Sequence, residues 1–147
     1  MRIHTDERRE NAALYPLPKK ICIVDDDDAV RDSMGALLGS YGIVVEGFPS
    51  ADEFLACCGR SADCILLDLH MPNMDGLQLL AAMRERGFLL PVIMITGRGD
   101  DQLRSRALLA GAYALLYKPL EDSELLRCMA CAMAAERREN PTSSGLL

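Results

Sequence analysis

The stretch ICIVDDDDAV, residues 21–30, runs four apolar residues directly into four aspartates, Asp25 to Asp28. The apolar half lacks the alternation of a half-exposed strand. It therefore reads as a strand covered on both faces, as in a parallel sheet. The acidic half raises a question of charge, because neighbouring carboxylates repel and are costly to desolvate unless a cation or a proton compensates. Something positive is expected close to this strand end.

Working outward, similar apolar runs occur at CILLDL (64–69), PVIMIT (91–96) and AYALLY (112–117), while IVVEGF (43–48) is more mixed, as an edge strand would be. Between them lie stretches with helical spacing over 28–40, 50–58, 75–87, 100–110 and 121–137. Gly42, Gly87 and Gly111 follow helical runs, and Pro49-Ser50, Asp100 and Asp122-Ser123 stand where helices should begin. Strand then helix, five times over, predicts a doubly wound α/β domain. Residues 1–18, polar and carrying two prolines, are expected to be a flexible extension of a domain over 19–137, and 138–147 a flexible tail or the start of a linker.

The chain has 147 residues, half of them apolar, and a net charge of −6. That suits one domain with a real core, and the scattered basic residues leave no footprint for direct nucleic-acid binding. No run approaches the roughly 18 apolar residues of a membrane span, and the N-terminus lacks the apolar segment of a signal peptide. A cytoplasmic location, with no membrane partner, is the expectation. Reduced thiols are then the default for the six cysteines. Cys22, Cys64, Cys57 and Cys58 read as small hydrophobes. The lone Cys128-x-x-Cys131 has no second pair to make a zinc site and reads as helix packing. The RGD at 98–100 has no adhesive meaning inside a cell.

In an open parallel sheet, ligands bind in the crevice at the carboxyl ends of the strands. The first strand ends on Asp25-Asp26, the third on Asp68, the fourth on Thr96 and the fifth on Lys118. Lys118 is the missing cation. Clustered carboxylates on an open rim suit Mg²⁺, a hard ion that prefers oxygen ligands, so Asp25 and Asp26 read as metal ligands. Asp27 and Asp28 read instead as the cap and first turn of the following helix. Asp68 is placed to act as a nucleophile toward phosphorus, forming an aspartyl phosphate. Thr96 can donate to a phosphoryl oxygen and Lys118 can place a point charge on another, the positioning and electrostatics that phosphoryl transfer needs.

Taken together, VDDDDAVRDSM, LLDLHMPNMDGLQLL, PVIMITGRGD and AGAYALLYKPL resemble the receiver domain of two-component response regulators, in the TGxGD form of nitrogen-fixation-type regulators. The resemblance covers residues 20–135. It implies a flavodoxin-like fold with a five-stranded parallel sheet of order 2-1-3-4-5 and helices on both faces, the order for which the chemotaxis receiver is a standing example. It further implies that Asp68 accepts a phosphoryl group from a histidine kinase or phosphotransfer protein. Mg²⁺ would be bound by Asp26, Asp68 and the main-chain carbonyl of His70, with Asp25 assisting through water. Thr96 and Lys118 would contact the phosphoryl group, and the bond before Pro119 would be cis. Such a protein is no enzyme beyond its own phosphorylation and slow dephosphorylation. It switches a partner or output domain, with a homodimer through the fourth helix, fifth strand and fifth helix as one route. The His70 imidazole is expected to face the rim without ligating metal.

One position departs from the family. A Tyr or Phe usually stands three residues before the lysine, and here it is Leu115, with Tyr113 and Tyr117 beside it but not in its place. The sequence thus predicts a buried leucine and a switch carried by the 97–100 loop and the fourth helix, through Leu103 and Leu108. Two other readings fit the residues less well. A haloacid-dehalogenase-like phosphatase needs an aspartate where His70 stands, and a flavodoxin's flavin phosphate would be repelled by four aspartates.

Overall fold

The computed structural model describes residues 16–57, 61–99 and 101–139. Five strands alternate with five helices: β1 (Lys20–Val24), α1 (Asp28–Gly39), β2 (Val44–Phe48), α2 (Ala51–Cys57), β3 (Cys64–Asp68), α3 (Gly76–Glu85), β4 (Val92–Thr96), α4 (Asp101–Leu109), β5 (Ala114–Tyr117) and α5 (Asp122–Glu139). The strands form one parallel sheet of order β2-β1-β3-β4-β5. β3 and β4 are buried at every position, which is why their sequences carry no alternation. β2 and β5 are the edges, and their burial is correspondingly mixed.

Successive residues of each strand feed two separate cores, as the period of two demands. Ile21, Ile23, Leu66, Ile93 and Ile95 pack with Met34 and Leu38 of α1 and with Leu125 and Met129 of α5. Val24, Ile65, Leu67, Met94 and Leu115 pack on the other face, with Phe54 of α2, Leu79, Leu80 and Met83 of α3, and Ala107 of α4. Removing one such buried leucine would cost about 2–5 kcal/mol.

Local chemistry sets the helix starts. Asp27 caps α1, its side chain accepting from the Ala29 and Val30 amides, as expected. Asp75 caps α3 in a capping box: Gln78 N–H donates to Asp75 and the Asp75 N–H donates to the Gln78 side chain. At the opposite end of α3, Arg84 bonds the carbonyls of Phe88 (2.7 Å), Leu90 (3.1 Å) and Gly111 (2.9 Å), tying the entrances of β4 and β5 together.

Some expectations shift. Leu17 packs on the core and Pro18 is buried, because the chain entering β1 must cover the end of that strand. α5 runs to Glu139 rather than 137. Cys57 is exposed, not packed, because it faces outward at the end of α2. Cys22 and Cys64 are buried as expected, and burial pushes their thiols up to about 11 and about 12, which keeps them protonated and inert. Residues 1–15, Cys58, Asp100 with the end of the RGD, and 140–147 lie outside the described residues.

Candidate functional site

The strand ends do converge. Asp25 and Asp26 follow β1, Asp68 ends β3, Thr96 ends β4 and Lys118 follows β5, all at the carboxyl rim of the sheet. One oxygen from each of Asp25, Asp26 and Asp68 lies within 4.8 Å of the others. Asp25 and Asp68 are buried, at 4% and 6% exposure, whereas Asp26 opens to solvent. Lys118 Nζ stands 3.6 Å from Asp25 Oδ2 and 3.8 Å from Asp68 Oδ1. Those are ion-pair distances, longer than an N–H···O bond, so the ammonium is shared without being fully engaged.

One cation does not balance three carboxylates. Burial, joined by the charge of Asp25 and then opposed by Lys118, pushes the Asp68 carboxyl up to about 6; Asp26 raises it further and the His70 N–H lowers it. The donor set is all oxygen, close enough to share one ion and short of positive charge. These residues fit a divalent hard cation such as Mg²⁺. Among the described residues this is the group of three side chains that could hold a metal; the imidazole of His70, which is exposed, is not part of it, and neither are Cys128 and Cys131.

Thr96 is fully buried, and its hydroxyl is already occupied. It donates to the Arg98 carbonyl at 2.7 Å and accepts from the Arg98 N–H at 3.1 Å. Leu115 is 1% exposed. Tyr117, the last residue of β5, lays its ring against Gly99: a Cβ added there would fall 1.8 Å from a ring carbon, and the Arg104 guanidinium sits 5.3 Å from the ring centroid. The Lys118–Pro119 bond is cis. A cavity of about 320 Å³ opens beside the acids, lined by Val30, Met34, Leu66, Ile95, Pro119 and Leu120 among others.

Sequence reading missed two contributors. Gly76 carries its backbone onto the end of β3: its N–H bonds Leu69 O at 2.9 Å, and a Cβ would stand 2.6 Å from the Asp68 carbonyl. The Asp75-Gly76 pair inside the quoted motif was the available signal. Arg31, on the first turns of α1, donates to the Asp25 carbonyl at 2.6 Å and pairs with Asp28. It is a second cation beside the acidic run, three residues after Asp28, a spacing that brings helical side chains together.

An α/β sheet of this order, with acids, a hydroxyl and a lysine on its carboxyl rim, defines the class. The family described as the response regulator receiver domain matches residues 21–130, and the chain belongs to it. The chain is 41% identical over 118 residues to the transcriptional regulatory protein TdiR of Thauera aromatica, covering 80% of this chain and 52% of that protein. It is 42% identical over 106 residues to the transcriptional regulatory protein FixJ of Bradyrhizobium diazoefficiens, covering 71% and 52%. It thus spans about half the length of the curated relatives it matches. Among solved structures, it superposes on the response regulator StyR with a TM-score of 0.75 at 34% identity, covering 85% of this chain and 65% of that one. The FixJ-N structure gives 0.72 at 34%, covering 78% and 93%. The chain is a response regulator receiver domain with the flavodoxin-like fold.

Proposed function

We propose that Asp68 is the phosphoacceptor of a two-component phosphorelay. A carboxylate oxygen of Asp68 attacks the phosphorus of a phosphohistidine on a kinase or phosphotransfer protein. The P–N bond breaks, its electron pair returns to the imidazole, and the phosphoryl group remains on Asp68. Lys118 holds charge against one phosphoryl oxygen, and Thr96 exchanges its bond to Arg98 for one to another. Mg²⁺, held by Asp26, Asp68 and the His70 carbonyl with Asp25 acting through water, would supply the remaining positive charge. The open cavity beside Asp68, lined largely by apolar side chains, gives an incoming donor a seat. The site of action we assign is the cytoplasm, the expectation for a two-component phosphorelay. Among the described residues no helix is long and apolar enough to cross a membrane.

The observation that carries this reading is the meeting of residues from three strand ends, those of β1, β3 and β5, around one under-neutralised carboxylate. Output follows from Thr96. Freed from Arg98, the 97–100 loop shifts, and α4 moves with it. Leu103 packs on the core, so Leu108, Leu109 and Tyr113, at 45%, 87% and 39% exposure, carry the outer face that meets a partner domain or second copy. Acetyl phosphate with Mg²⁺ is expected to add one phosphoryl mass, and Asp68→Asn is expected to lack it. An undiminished adduct in that variant would refute the assignment.

A further inference from the structure

We infer that Arg31 is a positioning residue for the metal-binding acids, an inference that rests on the proposed Mg²⁺ site. The turn that presents Asp25 and Asp26 is pinned from three directions. The Asp25 N–H donates to Phe48 O at 3.0 Å, the Asp25 carboxylate accepts from the Asp27 N–H at 2.9 Å, and the Asp25 carbonyl accepts from Arg31 Nη1 at 2.6 Å. The first two come from the sheet and the turn itself. Only the third reaches the turn from a helix.

The path of Arg31 is built into the fold. Side chains on a helix lean toward its N-terminus, so a residue one turn beyond the Asp27 cap returns over the acidic loop. Its stem crosses β2 at Gly47, where an added Cβ would stand 3.2 Å from Arg31 Cδ. A glycine inside a strand weakens it and marks a close approach; here the approach is that of Arg31. The side chain is 18% exposed, and its second terminal nitrogen pairs with Asp28. The planar fork therefore spans two acceptors, the main-chain carbonyl of Asp25 on the acid turn and the exposed side chain of Asp28 on α1. A lysine keeps the charge but lacks the planar, two-nitrogen fork, so it does not reproduce both contacts in this geometry. Partners that orient metal ligands without touching the metal commonly change affinity by 10–100-fold.

Charge and position predict opposite signs. A cation beside the acids opposes Mg²⁺, so a role in charge alone predicts unchanged affinity in Arg31→Lys and tighter binding in Arg31→Met. A positioning role predicts weaker binding in both. The test is a Mg²⁺ titration of the full chain and both variants, followed through the amide resonances of residues 25–28, with the rate of acetyl-phosphate labelling measured across the same Mg²⁺ range. Each variant is expected to bind Mg²⁺ about tenfold more weakly. Labelling at saturating Mg²⁺ should return close to the unaltered rate, a split that a general loss of stability would not produce. Affinity retained in Arg31→Lys or increased in Arg31→Met overturns the inference and leaves the site standing. An unaltered chain with no saturable Mg²⁺ response overturns the site and the inference together.

Discussion

The two rims of the sheet each hold a cation, and they use it in opposite ways. At the entrance rim, Arg84 is half-buried and bonded to three carbonyls at 2.7–3.1 Å. At the carboxyl rim, Lys118 lies 3.6 and 3.8 Å from two carboxylates and satisfies neither. Burial draws the Arg84 guanidinium pKa downward, with Glu136 opposing it, and the hydrogen bonds compensate that desolvation. At the other rim Lys118 and the His70 N–H only partly offset the burial of Asp68 and the charge of its acidic neighbours, so its carboxyl rises to about 6. One rim is bonded for stability. The other is left short of partners and available to a ligand.

The largest expected effect tests the entrance rim. Arg84→Met should cost about 3 kcal/mol, because it leaves three carbonyls without their donor. Urea unfolding should show the loss while labelling of the folded fraction by acetyl phosphate stays unchanged; a labelling defect in the folded fraction would break the comparison. Next is the pH dependence of the metal-free domain. An unfolded aspartate releases its proton near pH 4, and folded Asp68 near pH 6. Between those values the folded state binds more protons, so Asp68's contribution to stability is full below pH 4 and lost as pH rises to 6. The loss should be of the order of 2 kcal/mol, measured as urea midpoints without metal, and it should vanish in Asp68→Asn. The smallest effect is Asp26→Asn, which removes one repelling charge from an exposed position. It should stabilise the metal-free domain by about 1 kcal/mol or less and abolish Mg²⁺-dependent labelling. A destabilised variant would make Asp26 part of the scaffold.

The strands and the rim residues were legible because both are written in side chains. Non-alternating runs such as CILLD can be covered only on two faces, and acids at successive strand ends must meet if the sheet is parallel. Arg84 and Arg31 escaped because their principal partners are main-chain carbonyls, of Phe88, Leu90 and Gly111 and of Asp25. Every residue has a carbonyl, so no letter in the sequence marks the few that accept. The Asp75 capping box was a different matter: its aspartate and Gln78 stand at the diagnostic spacing and could have been read. Leu115 was read correctly as buried, but the ring at Tyr117 went unassigned because its slot is made by an absent side chain, that of Gly99.

That slot ties two positions together over evolutionary time. With Tyr117 in place, a methyl at 99 would overlap the ring, and only a turn of that ring would admit it. Among receivers descended from a common ancestor with this chain, those that keep the tyrosine at 117 should therefore keep glycine at 99 as well.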